Sequence, residues 1–410
     1  MDKSLIRKLN MHGMLLQASF WIAVCTYGIF MVTTLIDHGW SAASAAFAMT
    51  LMGIISFLVQ PVLGYVSDKF LSEKKMIVIL SSLAIIFLIL LPFTLQFDHT
   101  ILVWLTMIAI TVTGMQLAGL VDALLVGLSQ EFEGINYGLM RGTGSFAFAI
   151  ASQVAGIITY SFGHYTRLFI GAGFFFITAI VALTFRSPKS DHQNNEQEAS
   201  LPTEQLTGKE ALKIIFSSKP FLVLLGVAFF LLLGHAPFGI LLQLLVIDFG
   251  GTTAQIGTAS AVMAASEVPV MFLMIFILKK FGYKKLFVFA SGAYVIRMIL
   301  MLLINSVNLV IASQTMQAFT FAILTPLAMN YLSRIVDKRV RTTAITTYAA
   351  ISMGLSGIIG SLVTTTLLEM NIAAQNILIF MAISCAIGFA IAIYGAIHKI
   401  WDIDVNKEGV

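Results

Sequence analysis

Four side chains charged at neutral pH stand inside otherwise apolar stretches: Asp122, Arg141, Glu267 and Arg297. In hydrocarbon a mid-span Asp or Arg costs about 2.5–3.5 kcal/mol on insertion scales, so such residues tend to line polar cavities, proton relays or solute paths. Asp122 and Arg141 are centred on the turn at Gln130–Asn136, which puts them at similar depth on consecutive antiparallel helices. Glu267 and Arg297 are centred on Gly282, each about 15 residues away, or roughly 22 Å along a helix. Each half of the chain therefore carries an acid and a base able to pair across adjacent helices. The competing reading is two buried ion pairs that lock helices, although such pairs are often not net stabilising.

Weaker polar candidates surround these four. His235 stands alone in an apolar run between Gly234 and Ala236-Pro237. Gln314 and Gln317 share a helix face, and Thr320 continues it. They could line a cavity or hold helices together. Phe148, seven residues after Arg141, lies on the same face two turns on and could stack on a sugar or nucleobase ring. Catalysis has no comparable support. Cys25 and Cys385 lie far apart in apolar runs, and no Cys-x-x-Cys, His-Glu-x-x-His or P-loop occurs. No enzyme activity, metal, other cofactor or nucleic-acid partner is expected.

The elements that must position these groups are membrane spans. The 410 residues are 58% hydrophobic and 11% charged, against about 25% charged in soluble domains. Mean hydropathy is +0.93. Long apolar runs exclude a soluble multi-domain enzyme, and also a transmembrane barrel built from short alternating strands. Runs at 14–36, 42–66, 76–95, 101–128, 137–160 and 168–185 predict six helices; 221–247, 256–278, 286–304, 309–332, 342–368 and 372–397 predict six more. With the N-terminus inside, only Arg167 of the 24 Lys and Arg falls in an outside loop, and only Arg141 and Arg297 lie within spans. The positive-inside rule then places both termini in the cytoplasm.

The polar stretch after Arg186 reads as a linker, with an amphipathic segment at Lys209–Phe216 suited to the membrane surface. It divides the chain into a half over 1–186, a cytoplasmic linker over 187–219 and a half over 220–410. The matching basic loops Asp68–Lys75 and Lys279–Lys285 suggest an internal repeat. Pro237, Pro269 and Pro326 fall inside spans, where they loosen helices that must bend.

The run Gly64-Tyr65-Val66-Ser67-Asp68-Lys69-Phe70-Leu71-Ser72-Glu73-Lys74-Lys75 resembles the loop between helices two and three of the major facilitator superfamily, with Leu71 in place of a second glycine. Lys280-Phe281-Gly282-Tyr283-Lys284-Lys285 resembles its degenerate second copy. Val121-Asp122-Ala123, Tyr137–Ser145, Gly234-His235-Ala236, Glu267-Val268-Pro269 through Arg297, and Gln314–Phe321 resemble the lactose permease-like symporters and their phenylpropionate and nucleoside relatives.

The resemblance implies two pseudo-symmetric six-helix halves and a monomeric, multi-pass carrier in a bacterial inner membrane. It implies import of a small polar solute, a saccharide or nucleoside, with proton symport. Substrate contacts would come from Asp122, Arg141, Phe148, His235, Glu267, Gln314 and Gln317. Proton coupling would involve Glu267 and Arg297, and gating Gly64, Asp68 and Lys69. One departure matters. Where such symporters carry a histidine and an acid in helix ten, this chain has Gln317 and Thr320, and neither titrates. Export of drugs or metabolites by the same fold is the alternative. The proline of the exporters' helix-five motif is missing from Gly142–Gly156, which favours import. An uncoupled facilitator is the other alternative.

Overall fold

The computed structural model describes residues 3–96, 100–185 and 208–403, and these are all-helical apart from short turns. Among the described residues eleven helical stretches are long and apolar enough to cross a membrane. One of them, Thr253–Leu303, is 51 residues long and broken at Gly282, where φ is 70° and ψ 168°. That left-handed backbone suits glycine, which has no Cβ to clash. It gives the stretch two arms, with Glu267 on the first and Arg297 on the second. The expected linker falls largely on residues 186–207, outside the described residues. The amphipathic segment is a helix over Gly208–Ser217.

The helices cluster into two compact units. One holds residues before Ser200 together with Gly251–Ala264; the other holds 200–250 and 265–410. In the first unit, α1 (Lys3–Gly28) packs on α7 (Tyr137–Phe162) and α8 (His164–Thr184). Small residues set the distance. A Cβ on Gly144 would meet the Trp21 indole at 2.5 Å, and one on Gly171 would overlap Thr26 Oγ1. Between α1 and α7 lie α2 (Met31–Asp37), α3 (Ala42–Lys69), α4 (Glu73–Gln96), α5 (Thr100–Ile110) and α6 (Leu117–Glu131). A π-helical turn, Thr111–Met115, joins α5 to α6. Asn136 starts α7 by accepting from the Leu139 amide, which satisfies one of the free N–H groups of its first turn.

Two local expectations change. The run Gly64–Lys69 is the end of α3, so the loop itself is only Phe70–Ser72. Gly64, Asp68 and Lys69 therefore ride on a helix end; Lys69 lies over the Tyr65 ring, 4.7 Å from its centroid. The side chain of Asp68 lies outside the described set. Arg167, expected in an outside loop, sits in the first turn of α8 and is fully buried. It donates to the carbonyls of Thr26 and Phe30 and to Thr34 Oγ1. The break after Gly28 leaves the last carbonyls of α1 without helical partners. A cation is favoured at such a helix end, and Arg167 supplies it.

In the second unit, α9 (Gly208–Ser217), α10 (Lys219–His235) and α11 (Phe238–Asp248) precede the broken α12 (Thr253–Leu303), whose residues through Ala264 belong to the first unit, with Pro237 at the junction of α10 and α11. Then come α13 (Val307–Ser313), α14 (Phe321–Ile335), α15 (Arg341–Ala349), α16 (Ser356–Glu369) and α17 (Ala374–Ile397). Helix α10 packs closely on α17: a Cβ on Gly234 would meet the Met381 carbonyl at 2.7 Å. Large apolar side chains remain on the outside, among them Leu58, Ile86, Phe146, Phe276 and Ile397. An exterior of that kind is a liability in water but suits a bilayer.

Candidate functional site

Each unit holds one polar constellation. In the first unit it is built on α1, α6 and α7. Gln17 Nε2 donates to Asp122 Oδ1 at 2.7 Å, and Trp21 Nε1 donates to Gln17 Oε1 at 2.9 Å. Arg141 Nε lies 3.9 Å from Asp122 Oδ2. Its guanidinium also covers the Trp21 ring, 4.7 Å from the centroid, and donates to Ser145 Oγ at 3.1 Å. Phe148 stands edge-on to Trp21, with ring centroids 6.0 Å apart.

Exposure decides what this pair does. The side chains of Arg141 and Asp122 are 36% and 35% exposed. An accessible pair at that distance is worth only about 0–1 kcal/mol. It is a poor lock between helices. It leaves most of the guanidinium fork able to bond a polar solute, with Trp21 and Phe148 as an apolar wall. Because both groups would hold one solute, their effects on affinity should not add. A double-mutant cycle of Asp122→Asn and Arg141→Lys should give a coupling term above the roughly 0.3–0.5 kcal/mol scatter of independent sites. Additivity would mean two unconnected residues.

In the second unit Arg297 is fully buried. It donates to Gln317 Oε1, to Gln314 Oε1 at 3.0 Å and to Thr320 Oγ1 at 3.4 Å. The Phe238 ring lies 4.6 Å from its guanidinium carbon. Gln317 Nε2 in turn donates to Glu267 Oε1 at 2.8 Å. The Gln317 amide thus links the buried cation to the half-buried carboxylate, oxygen towards one and nitrogen towards the other.

Local backbone makes this possible. Gln314–Phe319 is a 3-10 helix, and Thr320 follows at φ −108°, ψ −96°. With three residues per turn, side chains three apart eclipse, so Gln314, Gln317 and Thr320 stack along one edge facing Arg297. Pro269, two residues after Glu267, removes one helical hydrogen bond there.

His235 ends α10 inside an aromatic box. Phe238 and Phe321 stack on it at 6.2 and 5.7 Å, and Tyr294 meets it edge-on at 5.5 Å. Its Nδ1, the Tyr294 hydroxyl and Arg297 Nε are buried and unpartnered. Phe238 connects this box to Arg297. Gln17, Trp21, Phe238 and Tyr294 belong to these constellations but escape the sequence reading. Gln17 and Trp21 had a usable signal: an amide and an indole four residues apart in an apolar run. Phe238 and Tyr294 had none, being ordinary aromatics by pattern.

Both constellations present hydrogen-bonding and charged groups, and among the described residues neither pairs a nucleophile with a base. A family model, described as the MFS_1 like family, matches residues 20–376. The chain belongs to that family. It is a major facilitator transporter and not an enzyme. The maltose permease of Geobacillus stearothermophilus is 28% identical over 336 residues, 80% of each chain. The nucleoside transporter NupG shares the fold with a TM-score of 0.76 at 18% identity, covering 97% of this chain and 100% of that one. A D-xylose-proton symporter does so with a TM-score of 0.69 at 15% identity, covering 98% of both. Membership of this family and the long apolar helices together give a multi-pass membrane location.

Proposed function

We propose that the protein imports a saccharide or nucleoside by alternating access with proton symport, as a twelve-span monomer in a bacterial inner membrane with both termini cytoplasmic. The twelve spans arise when the two arms of α12 are counted separately. The halves 1–186 and 220–410 would move about the solute, with the end of α3 at Gly64, Asp68 and Lys69 as a gating element. The observation that carries the reading is the Glu267–Gln317–Arg297 relay. The maltose permease, nucleoside transporter and xylose-proton symporter named above support the solute class.

Arg297, Gln317 and Thr320 do not exchange protons at physiological pH. Glu267 carries the relay's carboxyl, which can take up and release a proton, and it is half-buried against an amide whose other end is held by a buried cation. A proton arriving on Glu267 neutralises it and weakens its hold on Gln317 Nε2. Gln317 then becomes free to bond solute. Asp122 and Arg141 bind solute in the other unit, with Phe148 on their apolar wall, while His235 and Gln314 support the second constellation.

Proteoliposomes test this. Solute uptake should alkalinise the outside medium with wild-type protein, and Glu267→Gln should retain solute exchange but move no protons. Absence of proton movement in wild type would leave the uncoupled facilitator, the reading that Gln317 and Thr320 favour. Coupled movement surviving in Glu267→Gln would clear Glu267 and turn attention to His235.

A further inference from the structure

A second cleft lies away from both constellations, at one end of the spans in the second unit. Lys284 and Lys285 open the second arm of α12, just past the break at Gly282, and Lys399 follows the last turn of α17. The cleft holds about 760 Å³, and its remaining walls are Val288, Phe289, Ile393, Ala396 and Ile397. All three lysines are exposed. Among the described residues none of them makes an ion pair, and Asp402 nearby makes none either. Lys399 is held at φ 55°, in the left-handed region, so the chain turns sharply after α17 and carries this lysine back to the mouth. Phe289 and Ile397 are largely exposed.

We infer that this cleft binds one anionic phospholipid. The chemistry divides along the cleft as it does along a lipid. Three ammonium groups, without an ion-pair partner among the described residues, stand at the span ends, where a phosphate headgroup lies. The apolar walls run inward, one and more turns deeper, where acyl chains lie. Lysines at a span end extend their charge to the interface while their stems cover apolar surface. Basic pockets between membrane helices select anionic headgroups, because each lysine gains from a nearby phosphate what a neutral-overall headgroup returns only in part. An acidic protein segment would satisfy the lysines but would leave Val288, Phe289, Ile393 and Ile397 facing acyl chains.

Native mass spectrometry of the full chain in detergent tests this with dioleoylphosphatidylglycerol, dioleoylphosphatidylcholine and inorganic phosphate as probes. Wild type should retain one phosphatidylglycerol, with phosphatidylcholine and phosphate bound far more weakly. Changing Lys284, Lys285 and Lys399 together to Gln should weaken retention at least about tenfold, whereas changing all three to Arg should preserve it. Changing the exposed Lys8, Lys75 and Lys209 to Gln removes the same charge elsewhere and should have little effect.

Equal loss in both Gln triples would reduce the effect to net charge and overturn the site. So would phosphatidylcholine binding as tightly as phosphatidylglycerol, phosphate alone competing at the lipid's concentration, or a co-purifying acidic protein in place of lipid. If the Gln triple misfolds, the Arg triple and the probe comparison on wild type still decide.

Discussion

Gln317→Leu should cost both stability and transport. Leucine keeps the volume and removes the acceptor of Arg297 and the donor to Glu267 together. A hydrogen bond to a charged group contributes about 1.5–3 kcal/mol, and a buried donor left unpaired loses most of that. Gln314, Thr320 and the Phe238 ring still hold the guanidinium, so the protein should fold with a lower thermal midpoint and take up no solute. Gln317→Glu separates the two effects. It restores an acceptor for Arg297 but sets a second carboxylate against Glu267, so the two repel unless one takes up a proton; stability should return only in part, and coupled transport should not return. A wild-type midpoint and wild-type uptake in Gln317→Leu would show that the relay is incidental.

Arg141→Ala should weaken solute binding about ten- to hundredfold and leave insertion and thermal stability intact. The pair with Asp122 is long and accessible, so losing it costs the fold little. The same guanidinium facing a solute is worth about 1.5–3 kcal/mol, or about ten- to hundredfold in affinity. Arg141→Lys should recover only part, because an ammonium lacks the planar fork that stacks on Trp21. Isothermal titration on purified protein, with whichever saccharide or nucleoside a proteoliposome uptake panel identifies, reads the result. Unchanged affinity in Arg141→Ala would remove the residue from the binding site, and a collapsed thermal midpoint would return it to a structural role.

Much of this was legible in the residue order, for a physical reason. A charge inside an apolar span is costly wherever the chain folds, so Asp122, Arg141, Glu267 and Arg297 stand out without coordinates. The depth of each pair follows from counting residues to a turn, and the α12 break falls at Gly282, the midpoint of Glu267 and Arg297. Hydropathy determined the spans, and lysine placement gave the expected direction. Helix contacts across the sequence were not legible, because packing depends on rotation about each helix axis and apolar spans of uniform composition hardly encode it. Tertiary structure therefore decided that Glu267 meets Arg297 through Gln317, since a 3-10 turn rotates three polar side chains onto one edge. It decided that Trp21 and Gln17, more than a hundred residues away, complete the Asp122–Arg141 site. It also turned Arg167 from a loop cation into a buried cap at the end of α1, because the Thr26 carbonyl there accepts from a side chain that only the packing of α8 on α1 brings to it.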